Sequence, residues 1–221
     1  MAGRTRIKIC GISDVACADA AVGCGADSIG LVFVEGSPRF VDVGMARLIC
    51  ERLPSFVEAV GLFVDESGSD ILGICEEVGL GSVQLHGGER PGIMGELGGL
   101  RVIKALGFAG VERLREDVLG WSGGLPGLKG ILVDGPGGGG LGEGFDWSGL
   151  AGLVEEGLFE GCRPLILAGG LDAGNVGDAI AEVRPFGVDV SSGVESLRGV
   201  KDAQKIAAFC QAVRRADFLG A

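Results

Sequence analysis

A chain of 221 residues with 47% hydrophobic side chains can bury one sizeable core but is short for two ordinary domains, so a single domain over 1–221 is expected. Its formal charge of −11, from 19 basic and 30 acidic residues, repels nucleic acid and anionic membrane, and no basic patch with interleaved aromatics offsets that repulsion. Glycine supplies 44 residues, nearly three times the usual share of about 7%, yet it has no period of three and the apolar content is high, so the chain is neither collagen-like nor disordered.

The N-terminal Met-Ala-Gly-Arg-Thr-Arg-Ile-Lys lacks an apolar signal core. No apolar stretch reaches the roughly 18 residues of a membrane span, so a soluble, cytoplasmic protein acting on a small molecule is expected, with no nucleic acid and no membrane as partner. Seven cysteines (10, 17, 24, 50, 75, 162 and 210) form no Cys-x-x-Cys pair and are odd in number, which argues for reduced thiols against a disulfide framework or a zinc site.

Residues 5–10 alternate and stop at Gly11, which predicts a first strand with Lys8 and Cys10 on one face. Ser13 or Asp14 caps a helix to about Cys24, 27–34 reads as strand two, and 43–53 as a helix striped by Met45, Leu48, Ile49 and Leu53 and stopped by Pro54. Strand three is placed at 56–64. A helix striped by Ile71, Ile74, Cys75 and Val78 ends at Gly79, and strand four follows at 81–85. A glycine-weakened helix is predicted over 89–97, strand five over 101–106, and a helix striped by Val111, Leu114 and Val118 after it.

Strand six, 129–133, ends at Asp134 before the glycine-rich loop 135–144, after which Asp146 caps a sixth helix. Strand seven, 165–168, runs into Gly169-Gly170 and a helix that Asp172 is expected to cap, striped by Val176, Ala179, Ile180 and Val183. Strand eight, 187–190, leads into Ser191-Ser192-Gly193 and a last helix striped by Ile206, Phe209, Cys210 and Val213. Eight βα units in this length predict an α/β fold: a single (β/α)8 TIM barrel, eight parallel strands with outer helices, and an active site at the C-terminal rim.

The rim nominates its own candidates. Ser191, Ser192 and Gly193 can expose consecutive backbone N–H groups at the start of a helical turn, and Gly169-Gly170 does the same one unit upstream; two such turns after the last two strands suit a phosphate. Cys10 is either a small buried hydrophobe or a rim thiol. Asp134 is either a cap on the glycine loop or a carboxylate with a task. Arg39 in Ser37-Pro-Arg-Phe40 is a surface charge or a carboxylate clamp. His86, the one histidine, most often in such a place is a satisfied hydrogen-bonder. Asp189 and Lys8 share inward parity on strands that adjoin in a closed barrel, so Asp189 either pairs with Lys8 or binds a substrate hydroxyl.

In this order, Lys8-Ile-Cys-Gly-Ile12, Ser37-Pro-Arg39, Val60-Gly-Leu-Phe-Val64, Val83-Gln-Leu-His-Gly87, Leu132-Val-Asp134, Phe145-Asp-Trp147, Ala168-Gly-Gly-Leu171 and Val188-Asp-Val-Ser-Ser-Gly-Val-Glu195 resemble the phosphoribosylanthranilate isomerase family, from about residue 6 to 213. The resemblance implies a (β/α)8 barrel, monomer or homodimer, without cofactor or metal. The reaction it implies is the Amadori rearrangement of N-(5-phosphoribosyl)anthranilate in tryptophan biosynthesis. It implies that Asp134 is the general acid and Cys10 the general base. Arg39 would pair with the anthranilate carboxylate, Gly170, Ser192 and Gly193 would hold phosphate, and Gly169, Asp189 and Ser191 would complete the substrate site. The chain departs from the family after Asp134: Gly139-Gly-Leu-Gly-Glu143 stands where Gly-Gly-Thr/Ser-Gly, often followed by Lys, is usual, which implies a poorer latch over the substrate. The alternatives are another cofactor-free sugar-phosphate isomerase or epimerase, and a non-catalytic barrel that binds a phosphate ligand.

Overall fold

In the computed structural model, which describes residues 4–135, 146–160 and 164–220, eight parallel strands follow one another around a closed barrel. They are β1 Arg6–Cys10, β2 Ser28–Val32, β3 Glu58–Phe63, β4 Ser82–Leu85, β5 Arg101–Gly107, β6 Leu128–Asp134, β7 Leu165–Leu167 and β8 Gly187–Val190. Closure comes from β1 pairing with β8, with Lys8 opposite Asp189 and Ile9 opposite Val190. Because strand side chains alternate, Ile7 and Ile9 of β1 enter the layer beneath the helices while Cys10 packs with Val32 and Leu62 inside the barrel. A second interior cluster, Ala105, Leu132 and Ala168, fills the side formed by β5 to β7.

Among the described residues seven α-helices cover the barrel: α1 Val15–Gly23, α2 Val43–Arg52, α3 Gly68–Val78, α4 Val111–Gly120, α5 Trp147–Glu155, α6 Val176–Val183 and α7 Ala203–Leu219. Five have side-chain caps on their first turn: Asp14, Asp42, Ser67, Asp146 and Asp202 accept from backbone N–H groups two or three residues on. Such a cap is worth about 1 kcal/mol. The stripes of α6 and α7 are buried as predicted, with Val176, Ala179, Ile180 and Val183 inside in α6; in α2 the buried face is Ala46 and Ile49, and Leu48, assigned to the stripe, is 52% exposed.

Four local expectations are corrected. Residues 89–97 do not form an α-helix but a 3₁₀ turn, Pro91–Gly95. Glycine costs about 1 kcal/mol per helical position, and Glu89 is drawn inward: its carboxylate accepts from Asp65 N, Gly87 N and the buried Lys104 ammonium. Asp172 caps a turn, accepting from Gly174 N and Asn175 N, and α6 starts only after Asn175. Phe56, placed in strand three by its apolarity, precedes it and is 97% exposed. A short antiparallel hairpin, β9 Glu195–Leu197 and β10 Val200–Lys201, intervenes between the β8 turn and α7.

Among the described residues no helix is long and apolar enough to cross a membrane. Cys10, Cys17, Cys24, Cys50, Cys75 and Cys210 are free thiols, and Cys162 lies outside the described residues.

Candidate active site

A cleft of about 720 Å³ opens at the C-terminal ends of the strands, lined by Cys10, Arg39, His86, Asp134, Gly169, Gly170, Asp189, Ser191 and Ser192 among others. The closed barrel therefore gathers nine of the ten rim candidates, drawn from chain segments more than 180 residues apart, around one space. Gly193 is the exception. It does not line the cleft; a Cβ there would collide with the Leu171 carbonyl and meet Asp172 Cβ at 3.1 Å, so its bareness lets the turn after β8 press against the turn after β7. The two anion-type turns are thus adjacent. Gly169 and Gly170 hold φ of 91° and 63°, and space beside Gly170 is open. Ser192–Val194 forms the expected helical turn, of 3₁₀ type.

Asp134 ends β6 with its side chain 38% exposed, and its Oδ2 lies 3.4 Å from His86 Nε2. His86 Nδ1 is 2.7 Å from Gln84 Nε2, a side chain fully buried inside the barrel. With Nδ1 accepting from that amide, the ring proton falls on Nε2, toward Asp134. Cys10 stands at the end of β1, 5% exposed. Burial pushes its thiol up, Lys8 pulls it part of the way back, and Asp189 adds to the rise. Asp189 makes the first of its two expected contacts, accepting from Lys8 Nζ at 2.9 Å, while also lining the cleft.

Arg39 reaches the cleft from the loop after β2, but both its Nε (2.7 Å) and Nη2 (3.0 Å) donate to Glu195 of β9. Its expected partner, a substrate carboxylate, therefore finds it already half committed, with Nη1 as the remaining nitrogen. Glu195 also accepts from Lys201 Nζ at 2.8 Å and from Gly199 N at 3.0 Å. Burial would raise the Glu195 carboxyl, yet Arg39, Lys201 and the Gly199 N–H outweigh it and hold the group at about 2. Lys201, wholly buried, donates in turn to Ser191 O and Oγ, so one cation braces both the phosphate-type turn and the arginine's partner.

Lys201 and the clamping role of Glu195 were not anticipated. The only signal was Arg198-Gly199, a two-residue turn between short polar-apolar alternations, too brief to mark as a hairpin. The departing loop residues Leu141 and Glu143 lie outside the described residues. No group of three or more His, Cys, Asp or Glu among the described residues is placed to hold a metal ion.

The family model for N-(5'phosphoribosyl)anthranilate (PRA) isomerase matches residues 7–212. The N-(5'-phosphoribosyl)anthranilate isomerase of Pseudomonas putida (strain W619) is 48% identical over 218 residues, 96% of this chain and 98% of that one. The enzyme of the same name from Dechloromonas aromatica is 42% identical over 218 residues, covering 97% and 98%. Among solved structures, phosphoribosyl anthranilate isomerase from Thermotoga maritima superposes with a TM-score of 0.85 at 38% identity, covering 96% of this chain and 99% of its own. A phosphoribosyl anthranilate isomerase in complex with reduced 1-(o-carboxyphenylamino)-1-deoxyribulose 5-phosphate gives 0.82 at 36% identity, with 96% and 99% covered.

Proposed function

The chain belongs to the N-(5'-phosphoribosyl)anthranilate isomerase family, and we propose that Cys10 and Asp134 divide between them the proton transfers of that family's reaction. The protein is the isomerase of tryptophan biosynthesis that converts N-(5-phosphoribosyl)anthranilate to 1-(2-carboxyphenylamino)-1-deoxyribulose 5-phosphate. Asp134, protonated, gives its proton to the ribose ring oxygen as the bond from that oxygen to C1′ breaks, and the anthranilate nitrogen lone pair closes the C1′=N bond. Cys10, as thiolate, removes the C2′ proton; the C–H electron pair becomes C1′=C2′ and the C=N pair returns to nitrogen. The enolamine then ketonises, losing the O2′ proton and gaining one at C1′.

The observation that carries this reading is that an acid and a thiol reach one cleft from β6 and β1, with the two adjacent turns of β7 and β8 between them. A sugar whose phosphate rests on those turns would lie with an acid to one side and a base to the other, which is what the rearrangement needs. Backbone N–H groups of Gly170, Ser192 and their neighbours would take the phosphate, and Arg39 Nη1 the anthranilate carboxylate. Asp189 and Ser191, which line the same cleft, would sit beside the sugar. Action in the cytoplasm on a dissolved substrate goes with this reading.

Cys10→Ala and Asp134→Asn are each expected to lower kcat by about two to four powers of ten, the usual contribution of a general acid or base, with little change in KM. Consumption of the fluorescent anthranilate adduct by the purified variants measures it. Near-normal turnover in either variant removes that residue from its role.

A further inference from the structure

Under Cys10 lies a feature that neither a base nor a binding group requires. Lys8 and Cys10 are successive inward positions on β1, and β2 presents Gly30 opposite Cys10. A Cβ at Gly30 would stand 2.7 Å from Cys10 Sγ, 3.1 Å from Cys10 Cα and 3.1 Å from Lys8 Nζ. Sulfur and ammonium therefore abut the same small space, and only a residue without a side chain leaves it free for them to face each other. On the other side Lys8 Nζ is held at 2.9 Å by Asp189 of β8, with both side chains almost wholly buried.

We infer that Lys8 is a positioning residue of the reaction: its ammonium, anchored by Asp189 in the space Gly30 leaves, sets how readily Cys10 ionises. This rests on the reading of Cys10 as the base. The charged groups acting on Cys10 are Lys8 from β1, Asp189 from β8 and, more weakly, Lys201 from β10; β2 contributes none. A thiol in an apolar site resists ionisation, and an opposite charge within about 4–6 Å moves such a group by about 1–3 pH units. Asp189 acts in both directions. It keeps Lys8 charged and in place, but its own charge opposes the thiolate, so the resting pair is nearly neutral and Cys10 remains a thiol that ionises with help from the ammonium. The proton lost from sulfur goes to solvent, Lys8 stays protonated throughout, and in turnover the C2′ proton refills the sulfur.

The test is alkylation of Cys10 by iodoacetamide in the substrate-free enzyme at fixed pH, followed on the Cys10 peptide by mass spectrometry, alongside the pH profile of kcat/KM. Lys8→Met should slow alkylation by about 3–30-fold, because a fall in thiolate fraction of 10–1000-fold is about half offset by the greater nucleophilicity of the more basic thiolate. Lys8→Arg should restore most of the rate. Asp189→Asn should speed alkylation, and the double variant Lys8→Met/Asp189→Asn, which leaves no unpaired buried charge, should fall between Lys8→Met and the parent. Asp189→Asn decides the matter if Lys8→Met does not fold. Unchanged alkylation in folded Lys8→Met overturns the inference, as does an Asp189→Asn protein that reacts no faster than the parent. The limb of the kcat/KM profile set by the base should move up with the thiol; if alkylation shifts while that limb stays, Lys8 governs Cys10 but Cys10 is not the base.

Discussion

His86 illustrates how far one residue's role depends on its neighbours. Taken alone, a single histidine at a strand end invites a catalytic assignment or a bland one, and nothing in the sequence chooses. In the barrel its Nε2 lies 3.4 Å from Asp134 Oδ2 and its Nδ1 2.7 Å from Gln84 Nε2, so on the proposed mechanism it would orient the acid without transferring a proton itself. A full neutral hydrogen bond would contribute about 0.5–1.5 kcal/mol, which bounds what this 3.4 Å contact can supply. His86→Phe is therefore expected to lower kcat by about 2–13-fold, well short of the loss from Asp134→Asn, with KM little changed; a loss as large as that of Asp134→Asn would make the imidazole a catalytic group. Cys10, Asp134 and Asp189 were legible because strand parity and strand ends decide which side chains reach a barrel mouth. Lys201 was not, since nothing local distinguishes a lysine that a hairpin folds beneath a turn from one in water.

Between elements, the turn after β8 presses against the turn after β7, and that fit depends on Gly193. The sequence assigned the Gly193 backbone to phosphate, and the packing adds a second demand for glycine there, because a Cβ would strike the Leu171 carbonyl. Gly193→Ala should push the two turns apart and raise KM by about tenfold or more, with weakened inhibition by inorganic phosphate. Ser192→Ala, which keeps its backbone N–H, should raise KM less than Gly193→Ala does, because the main-chain donors that hold the phosphate stay in place. Steady-state kinetics of both compare them, and a Ser192→Ala effect larger than that of Gly193→Ala would mean that the hydroxyl holds the phosphate. Helix and strand order was readable in most units because the stripes have long, regular periods. The fourth unit failed where a polar residue, Glu89, found a buried partner in Lys104 from 15 residues away, a contact no local pattern records.

Across the whole molecule, two electrostatic effects oppose each other as pH falls. The chain carries −11 at pH 7 and reaches neutrality near pH 4.6, so mild acid relieves self-repulsion and favours the compact barrel. Glu195 works the other way. Its carboxyl is at about 2 in the folded protein against an ordinary 4.5, so the unfolded chain takes up the proton first. Its contribution is complete above about pH 4.5 and is lost as pH falls toward 2, and the full shift corresponds to about 3 kcal/mol. That loss is concentrated where Arg39 from the β2 loop, Lys201 from β10 and the turn after β8 meet. Exposed pairs such as Arg47–Glu51 and Arg52–Asp19 add little, since each is worth about 0–1 kcal/mol. Unfolding free energy from urea titrations should therefore be level or slightly rising from pH 7 to 5 and fall steeply below 4.5. Glu195→Gln should be less stable at pH 7, because it leaves Lys201 buried without a counter-charge, at a cost of about 3–5 kcal/mol. Its acid limb between pH 4.5 and 2 should be shallower by about 3 kcal/mol in total. An equally steep limb in the variant would assign the acid sensitivity to other carboxylates and reduce Glu195 to a local strut.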